Sequence, residues 1–575
     1  MPNPLRKSPR HPVIALGLDA ADPVLIEKWM AEGRLPNLAR LRAGGAYGRL
    51  HSTVALNGQV TEAFATEPLW VDFATGRKPT RTGAWDSMVF DARRYSIRNL
   101  DDGSPAFDRT APFYALGEDC RVAVLDLPMT RLSADVHGAQ VLGWGGHFPH
   151  TRSESAPPEL LGELIARHGA NPVLYQDDGI WWDARYVRWL DRALTDSVAA
   201  RTRLMRDLLA RESWDLFLGV YSEPHTAGHD VYVYSQADHP LNAVVPNPVG
   251  LDLLRRTYEQ VDAGIGEIVA NAPADASIVC FSLHGMGPNY SDQLSSVMLS
   301  EALYRMSFPG QAALAPGIVG APLPPPVTRP HRGAWITELW TRHVAVGPAR
   351  RLMRAYLPRR MLRHDCNGLA SPFTQDARAT SMSWHPSMWY RPLWPTMKAF
   401  ALPGFTKGRI RINLRGRDRD GIVDAADYAA VCNDIERLLR RLRDARTGEP
   451  IVKNVLRTRR YPLDADPLLP DFDLDVLWHE RVTDVIDSPD VGRIGPIPHF
   501  RAGGHWNRGF VLASGPGIAP GSALRTGEAV DLAPTLLALM GRDGPADFDG
   551  RSLLPADTAP PVGASAPHRT DATLT

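Results

Sequence analysis

The chain has 575 residues, and its Lys plus Arg and Asp plus Glu totals are equal at 64 each, so the formal net charge is zero. That length can bury a large core, in one big α/β domain or two to three smaller ones. The charge balance argues against a dedicated nucleic-acid or anionic-membrane binder, although local patches stay open, and the four scattered cysteines, with no Cys-x-x-Cys pair, exclude a disulfide framework and a zinc ribbon.

Residues 1–11 are basic, but the apolar stretch behind them is broken by Gly17 and Asp19 and makes no secretory h-region. No run approaches the roughly 18–20 apolar residues of a membrane span. The expectation is a soluble cytoplasmic protein without membrane contact, with 1–11 and 557–575 as disordered tails. Residues 13–18 form a short apolar run that ends at Asp19. A helix follows, then a break near Gly33 and Pro36, then a second helix. Residues 121–125 read as a strand. An amphipathic helix over 187–211 feeds the apolar run 216–221, which leads into Glu223, His225 and His229, with Asp230 alongside. A helix over about 250–270 feeds the run 277–282, which leads into His284. Residues 308–400 are rich in Pro and Arg, with Trp384, Trp389 and Trp394. They read as an insertion that covers the site or contacts another copy, weighed against a poorly patterned surface excursion. Residues 409–414 alternate with period two, and a helix over about 425–445 follows. His505 lies in a glycine-rich loop just before the apolar run 509–513.

Short apolar runs separated by helices predict an α/β fold: a mostly parallel central sheet with helices on both faces. The parsing is 12–307 and 401–556 as two parts of one catalytic domain, split by the 308–400 insertion. Asp19, the His225–His229 pair, His284 and His505 stand at or beside strand ends, where open parallel sheets build their sites. The i, i+4 spacing puts His225 and His229 on one face of a helical turn, although Gly228 argues against a longer helix. Mixed imidazole and carboxylate ligands suit Zn²⁺, with Mn²⁺ or Fe as alternatives. The pattern points to a metallohydrolase.

Further segments carry a resemblance. They are Gly17-Leu18-Asp19-Ala20-Ala21-Asp22, Leu35-Pro36-Asn37-Leu38 and the run Thr66-Glu67-Pro68-Leu69-Trp70 through Thr75-Gly76. Beyond these come Ser222 to His229, Ser282-Leu283-His284-Gly285, Gly504-His505, and Asp531 to Leu537 with Asp549 to Leu553. From about 12 to 555 the chain resembles the alkaline phosphatase superfamily, nearest its type I phosphodiesterase/nucleotide pyrophosphatase branch. The resemblance implies the matching α/β fold, with Thr66 as nucleophile and metal ligand. It implies one metal set of His225, His229 and His505 and another of Asp19, Thr66 and His284. One or two divalent ions would serve a small phosphate ester or nucleotide. If both sets fill, one ion would activate the Thr66 hydroxyl for in-line attack and the other would stabilise the leaving oxygen. The arginines of Arg411-Ile412-Asn413-Leu414-Arg415-Gly416-Arg417 could contact an anionic substrate, a decorated sheet edge being the plainer alternative.

Three positions depart from that pattern. His225 stands where the branch usually has Asp, Leu283 where it has Asp, and Thr82 where many members have His. The first set stays complete with three histidines, while the second loses a carboxylate. Two rival readings follow: a catalytically weakened member that binds a metal and an anionic ligand or partner, and a sulfatase or phosphonate hydrolase. Trp144, His147, Trp181 and Trp182 are candidate pocket walls. The oligomeric state has no motif to read.

Overall fold

The computed structural model describes residues 11–63, 67–99, 106–146, 152–174, 179–236, 241–242, 250–331 and 333–555. Its centre is a nine-stranded sheet. The strands are β1 (Val13–Leu18), β2 (Ala46–Leu50), β3 (Val122–Leu125), β4 (Gly138–Leu142), β5 (Glu154–Ala156), β6 (Leu216–Tyr221), β7 (Ser277–Ser282), β8 (Gly509–Ser514) and β9 (Ser522–Ala523), in the order β9-β2-β8-β7-β1-β6-β3-β4-β5. The middle is parallel: β7, β1, β6, β3 and β4 run the same way. β8 lies antiparallel to both β7 and β2, and β5 antiparallel to β4. The sheet is therefore mixed but mostly parallel.

Burial on both faces explains why these strands are continuous apolar runs. Ile14, Leu16 and Leu18 of β1 point into one cluster with Leu204, Leu208, Val261 and Ile265. Those partners come from the helices Ala184–Arg211 and Leu253–Ala270. Val13 and Ala15 point the other way, towards Trp70, Phe73, Leu532 and Leu536. Trp70 and Phe73 belong to the helix α1, Glu67–Thr75. The strands' carboxyl ends meet in one region, because β1 and β6 pair in register from Val13↔Leu216 to Leu18↔Tyr221.

Residues 294–497 contribute most of a second core. Its sheet is antiparallel, in the order Ala399–Leu402, Gly408–Ile412, Leu474–Trp478, Val452–Arg457. Phe400, Ile410 and Val476 pack there with Trp340, Trp389 and Trp394. Of the tryptophans singled out in the Pro/Arg-rich stretch, Trp389 and Trp394 are thus core, while Trp384 is 41% exposed. The arginines of the 411–417 segment are engaged internally. Arg411 pairs with Asp418 at 2.8 Å and Arg417 with Asp473 at 2.6 Å, and Arg415 pairs with Asp424. The strand Gly408–Ile412 is paired on both sides, so these arginines do not decorate a sheet edge; each is engaged by a carboxylate of the chain itself.

Two buried histidines of this region, His385 and His499, are each pushed down to about 4 by burial. Unfolded, they take a proton near 6.5; folded, they refuse it until about pH 4. The stability they hold is complete above about pH 6.5 and drains as pH falls towards 4, by up to about 1.4 kcal/mol per pH unit for each. The urea midpoint should fall steadily across that window. A midpoint flat from pH 6.5 to 4 would show that neither histidine is buried neutral.

Among the described residues, no helix is long and apolar enough to cross a membrane.

Candidate metal centre

The helix α2, Glu223–Ser235, starts just after β6 and carries His225 and His229 on its first turns. It runs straight through Gly228, the residue that counted against a longer helix. The glycine serves tertiary packing. A Cβ on Gly503 would lie 2.1 Å from the Gly228 carbonyl oxygen, and a Cβ on Gly228 would meet the Met286 side chain at 2.8 Å. Gly503 lets the strand Gly503–Trp506 come up against the helix backbone, a contact that brings His505 to the histidine pair, while Gly228 makes room for Met286 of the strand Gly285–Pro288. The same strand pairs with Gly285–Pro288, right after His284.

One ring nitrogen each from His225, His229 and His505 lie within 4.8 Å of one another, all three residues buried. His229 Nε2 faces His505 Nε2 at 2.9 Å, close to the roughly 3.3 Å between two nitrogens on one tetrahedral zinc. The other ring atoms are fixed. His229 Nδ1 is 2.9 Å from the Gly503 carbonyl oxygen, so it carries the proton and donates it. His225 Nδ1 lies 2.8 Å from Asp19 Oδ2. His505 Nδ1 is 3.3 Å from His284 Nδ1, and His284 Nε2 is 3.4 Å from Asp19 Oδ1. Protons on Nδ1 of His225, His229 and His505 satisfy the first three of these contacts, while His284 Nε2 lies near Asp19 but is buried without a hydrogen-bond partner. Those Nδ1 protons turn three Nε2 lone pairs inward, so the three imidazoles could hold a divalent ion with the rest as outer supports.

The electrostatics agree. Burial would raise the Asp19 carboxyl, but His225 and His284 outweigh it and hold Asp19 well below the usual carboxylate range. Burial, with the three other imidazoles and Arg501, pushes His505 well down, so it stays neutral and able to ligate. Trp70, on α1, donates its indole N–H to Asp19 Oδ1 at 3.1 Å.

Asp19, His225, His229, His284 and His505 thus come together from separate segments. Thr66 lies outside the described residues; it immediately precedes α1 in the sequence. Leu283 continues the β7 alternation, pointing with Val279 and Phe281 into the apolar cluster that holds Trp70. Glu223 is turned away from the histidines and pairs with Arg201 at 2.8 Å. Asp230 accepts from Tyr186 Oη at 2.7 Å and Gly179 N at 2.9 Å. Trp144 and Trp181 are buried, their indoles donating to the Gly169 and Phe500 carbonyls. His147 lies outside the described residues. The opening beside His505 is lined instead by Glu62, Tyr290, Lys407, Lys453, Glu480 and Asn507.

Sequence reading missed Arg501. Its Nη1 stands 3.2 Å from His229 Nε2, and its Nε is paired with Asp292 at 3.0 Å. Only its position four residues before His505 hinted at it. The closing segment is structural: Asp531 Oδ1 accepts from Arg551 N and Thr535 Oγ1 from Leu553 N, which clips 549–553 onto the helix Leu532–Leu539.

The fold and site define an α/β protein with a buried histidine centre at the ends of its parallel strands. The profile of the type I phosphodiesterase / nucleotide pyrophosphatase family matches residues 13–326, and the chain belongs to that family. It is a phosphoryl hydrolase by that membership. The match spans Asp19, Thr66, His225, His229 and His284, while His505 lies beyond it. Two solved structures of phosphonoacetate hydrolase from Sinorhizobium meliloti 1021 are similar at 15% identity, covering 92% of this chain and 96% of theirs. The complex with phosphonoformate gives a TM-score of 0.44 and that with phosphonoacetate 0.45. No curated protein matches the chain.

Proposed function

We propose that this chain is a metal-dependent phosphohydrolase of the phosphodiesterase or nucleotide pyrophosphatase type. It would work in the cytoplasm on a small phosphate ester or nucleotide, with Thr66 as nucleophile. The observation that carries the reading is the buried convergence of His225, His229 and His505. Zinc is the ion this donor set suits best.

The residues divide the work. His225, His229 and His505 hold the ion, which when bound supplies Lewis-acid charge beside the phosphoryl group. Asp19 fixes the His225 ring through its Nδ1 proton, and His284 does the same for His505 from the other side. The Thr66 hydroxyl would attack phosphorus, giving up its proton to solvent, while the bond from phosphorus to the leaving oxygen breaks and that alcohol or phosphate departs; water would then cleave the bond between Thr66 and the phosphoryl group and restore the hydroxyl. The N–H groups at the start of α1 would stabilise the charge that develops on the phosphoryl oxygens. Arg501 adds a fixed positive charge next to His229.

The second set is the weaker one. Leu283 offers neither charge nor lone pair, and both Asp19 oxygens already have partners in His225 and Trp70. We therefore read one tightly held ion per chain. In metal analysis by mass spectrometry, His229→Ala should lose the ion. Asp19→Asn should keep the stoichiometry but weaken affinity by about 10–100-fold, as an outer support does. Two tightly held ions per wild-type chain, one of them lost in Asp19→Asn, would overturn the single-ion reading. The Leu283 substitution also favours the catalytically weakened member as a second reading; absence of turnover on phosphate mono- and diesters with the ion bound would select it.

A further inference from the structure

The helix α3, Pro348–Tyr356, is built inside out. An ordinary surface helix buries its apolar stripe and exposes its charges. Here Ala355 is buried and Arg354 turns inward, its guanidinium 5.4 Å over the Trp340 ring. The large apolar side chains face water: Leu352 is 65% exposed, Met353 58% and Tyr356 73%, with Met361 just beyond the helix at 48%. Leu352, Met353 and Tyr356 stand at i, i+1 and i+4, which makes one continuous stripe.

The charge around the stripe is one-sided. Residues 339–364 carry seven arginines and no Asp or Glu, in a chain whose net charge is zero. Arg350, Arg359, Arg360 and Arg363 are exposed. Among the described residues none of these four is ion-paired with a carboxylate, whereas most other arginines around the second core are. An apolar stripe fringed by arginines matches an anionic bilayer surface: the stripe enters the headgroup–acyl boundary while the guanidinium groups reach phosphate. A second copy fits badly, because a two-fold contact would set these arginines against their own equivalents. Nucleic acid would use the charge but leave Leu352, Met353 and Met361 in water.

We propose that α3 and the segment to Arg363 form a peripheral docking surface for membranes rich in anionic phospholipid. This local patch is compatible with the balanced charge of the whole chain. It does not depend on the hydrolase reading. Nine helical residues and four exposed arginines imply reversible attachment rather than permanent anchorage.

The test is sedimentation of the full chain with sucrose-loaded vesicles, either pure phosphatidylcholine or containing about one-third phosphatidylglycerol. Wild-type protein should pellet with the anionic vesicles only, and added salt should release it. Each arginine is worth about a fivefold change in partitioning, so Arg359→Glu/Arg360→Glu should weaken binding by at least about 25-fold. Leu352→Ser/Met353→Ser/Tyr356→Ser should weaken it by at least about tenfold. The substitutions are at exposed positions, so thermal midpoints should match wild type. No pelleting of wild type, or pelleting unchanged in either variant, would overturn the proposal. So would capture of duplex DNA or an acidic polypeptide that the arginine variant loses and the serine variant keeps.

Discussion

Replacing Arg201 by methionine is expected to cost about 3–5 kcal/mol of stability, the largest loss from any single exchange outside the histidine centre. The side chain is completely buried. Its Nη1 is 2.7 Å from Asp126 and 2.9 Å from the Val220 carbonyl; its Nε is 2.8 Å from Glu223. Its Nη2 reaches the Gly145 carbonyl and Ser222 Oγ at 2.8 Å each. All five guanidinium protons are thus used. Asp126 follows β3, Glu223 is the first residue of α2, and both carboxylates are as buried as the arginine. Methionine fills most of the volume but strands two buried negative charges. A buried ion cluster contributes little over a well-packed apolar one, yet removing one partner is costly because the others cannot be resolvated. Arg201→Lys should fall between, keeping the charge without the planar fork. Urea unfolding monitored by circular dichroism measures both variants. A methionine variant within about 0.5 kcal/mol of wild type would mean that the carboxylates are accessible or protonated, and the account of this cluster would fail. Because Glu223 begins the helix that carries His225 and His229, folded Arg201→Lys protein should also bind added Zn²⁺ more weakly than wild type if the three histidines hold an ion as proposed.

That cluster marks the boundary of what sequence could tell. The parallel strands were legible because a strand covered on both faces must be apolar at every position, as β1, β6 and β7 are. The ligand candidates were legible because they sit just beyond those runs. Their roles were not. Asp19 and His225 are 206 residues apart, and nothing local says that the carboxylate meets Nδ1 of that ring. Glu223 stands just before the histidines in sequence, but its direction is set by Arg201 on a different helix. Gly228 counted against a longer helix, since glycine is costly in an isolated helix; its value appears only against Met286 in another strand. The second core was the least legible part. Trp389 and Trp394 lie in a proline-containing 3₁₀ stretch, Pro386–Thr396, where neither the 3.6 nor the 2.0 period applies. Leu283 was legible as a departure from the pattern the chain resembles; it sits in the apolar cluster with Phe281 and Val279, which offers a carboxylate no hydrogen-bonding partner.

Thr66→Ala should abolish hydrolysis of a diester such as bis(p-nitrophenyl) phosphate, with a fall in kcat on the order of 10⁴-fold or more, while metal content and thermal midpoint stay at wild-type values. α1 begins at Glu67, so Thr66 is the residue before its first turn in the sequence. Trp70 of that turn is bonded to Asp19, which is bonded to His225. The start of α1 is therefore tied to the histidine centre through two hydrogen bonds. A phosphoryl group held between them would meet the helix N–H groups on one side and the ion on the other. Alanine deletes the attacking oxygen and leaves that arrangement standing. Thr66→Ser keeps the hydroxyl but loses the methyl that limits its rotation, so it should retain turnover at a reduced kcat, and brief reaction followed by acid quench should leave a p-nitrophenylphosphoryl group covalently on the wild-type and serine chains alone. The outcomes separate the candidate roles. Loss of the ion together with activity in Thr66→Ala would make the hydroxyl a needed ligand. Loss of activity with the ion retained would make it the nucleophile. Full activity in the alanine variant would mean that water attacks directly, and Thr66 would drop out of the mechanism while the three-histidine centre remained.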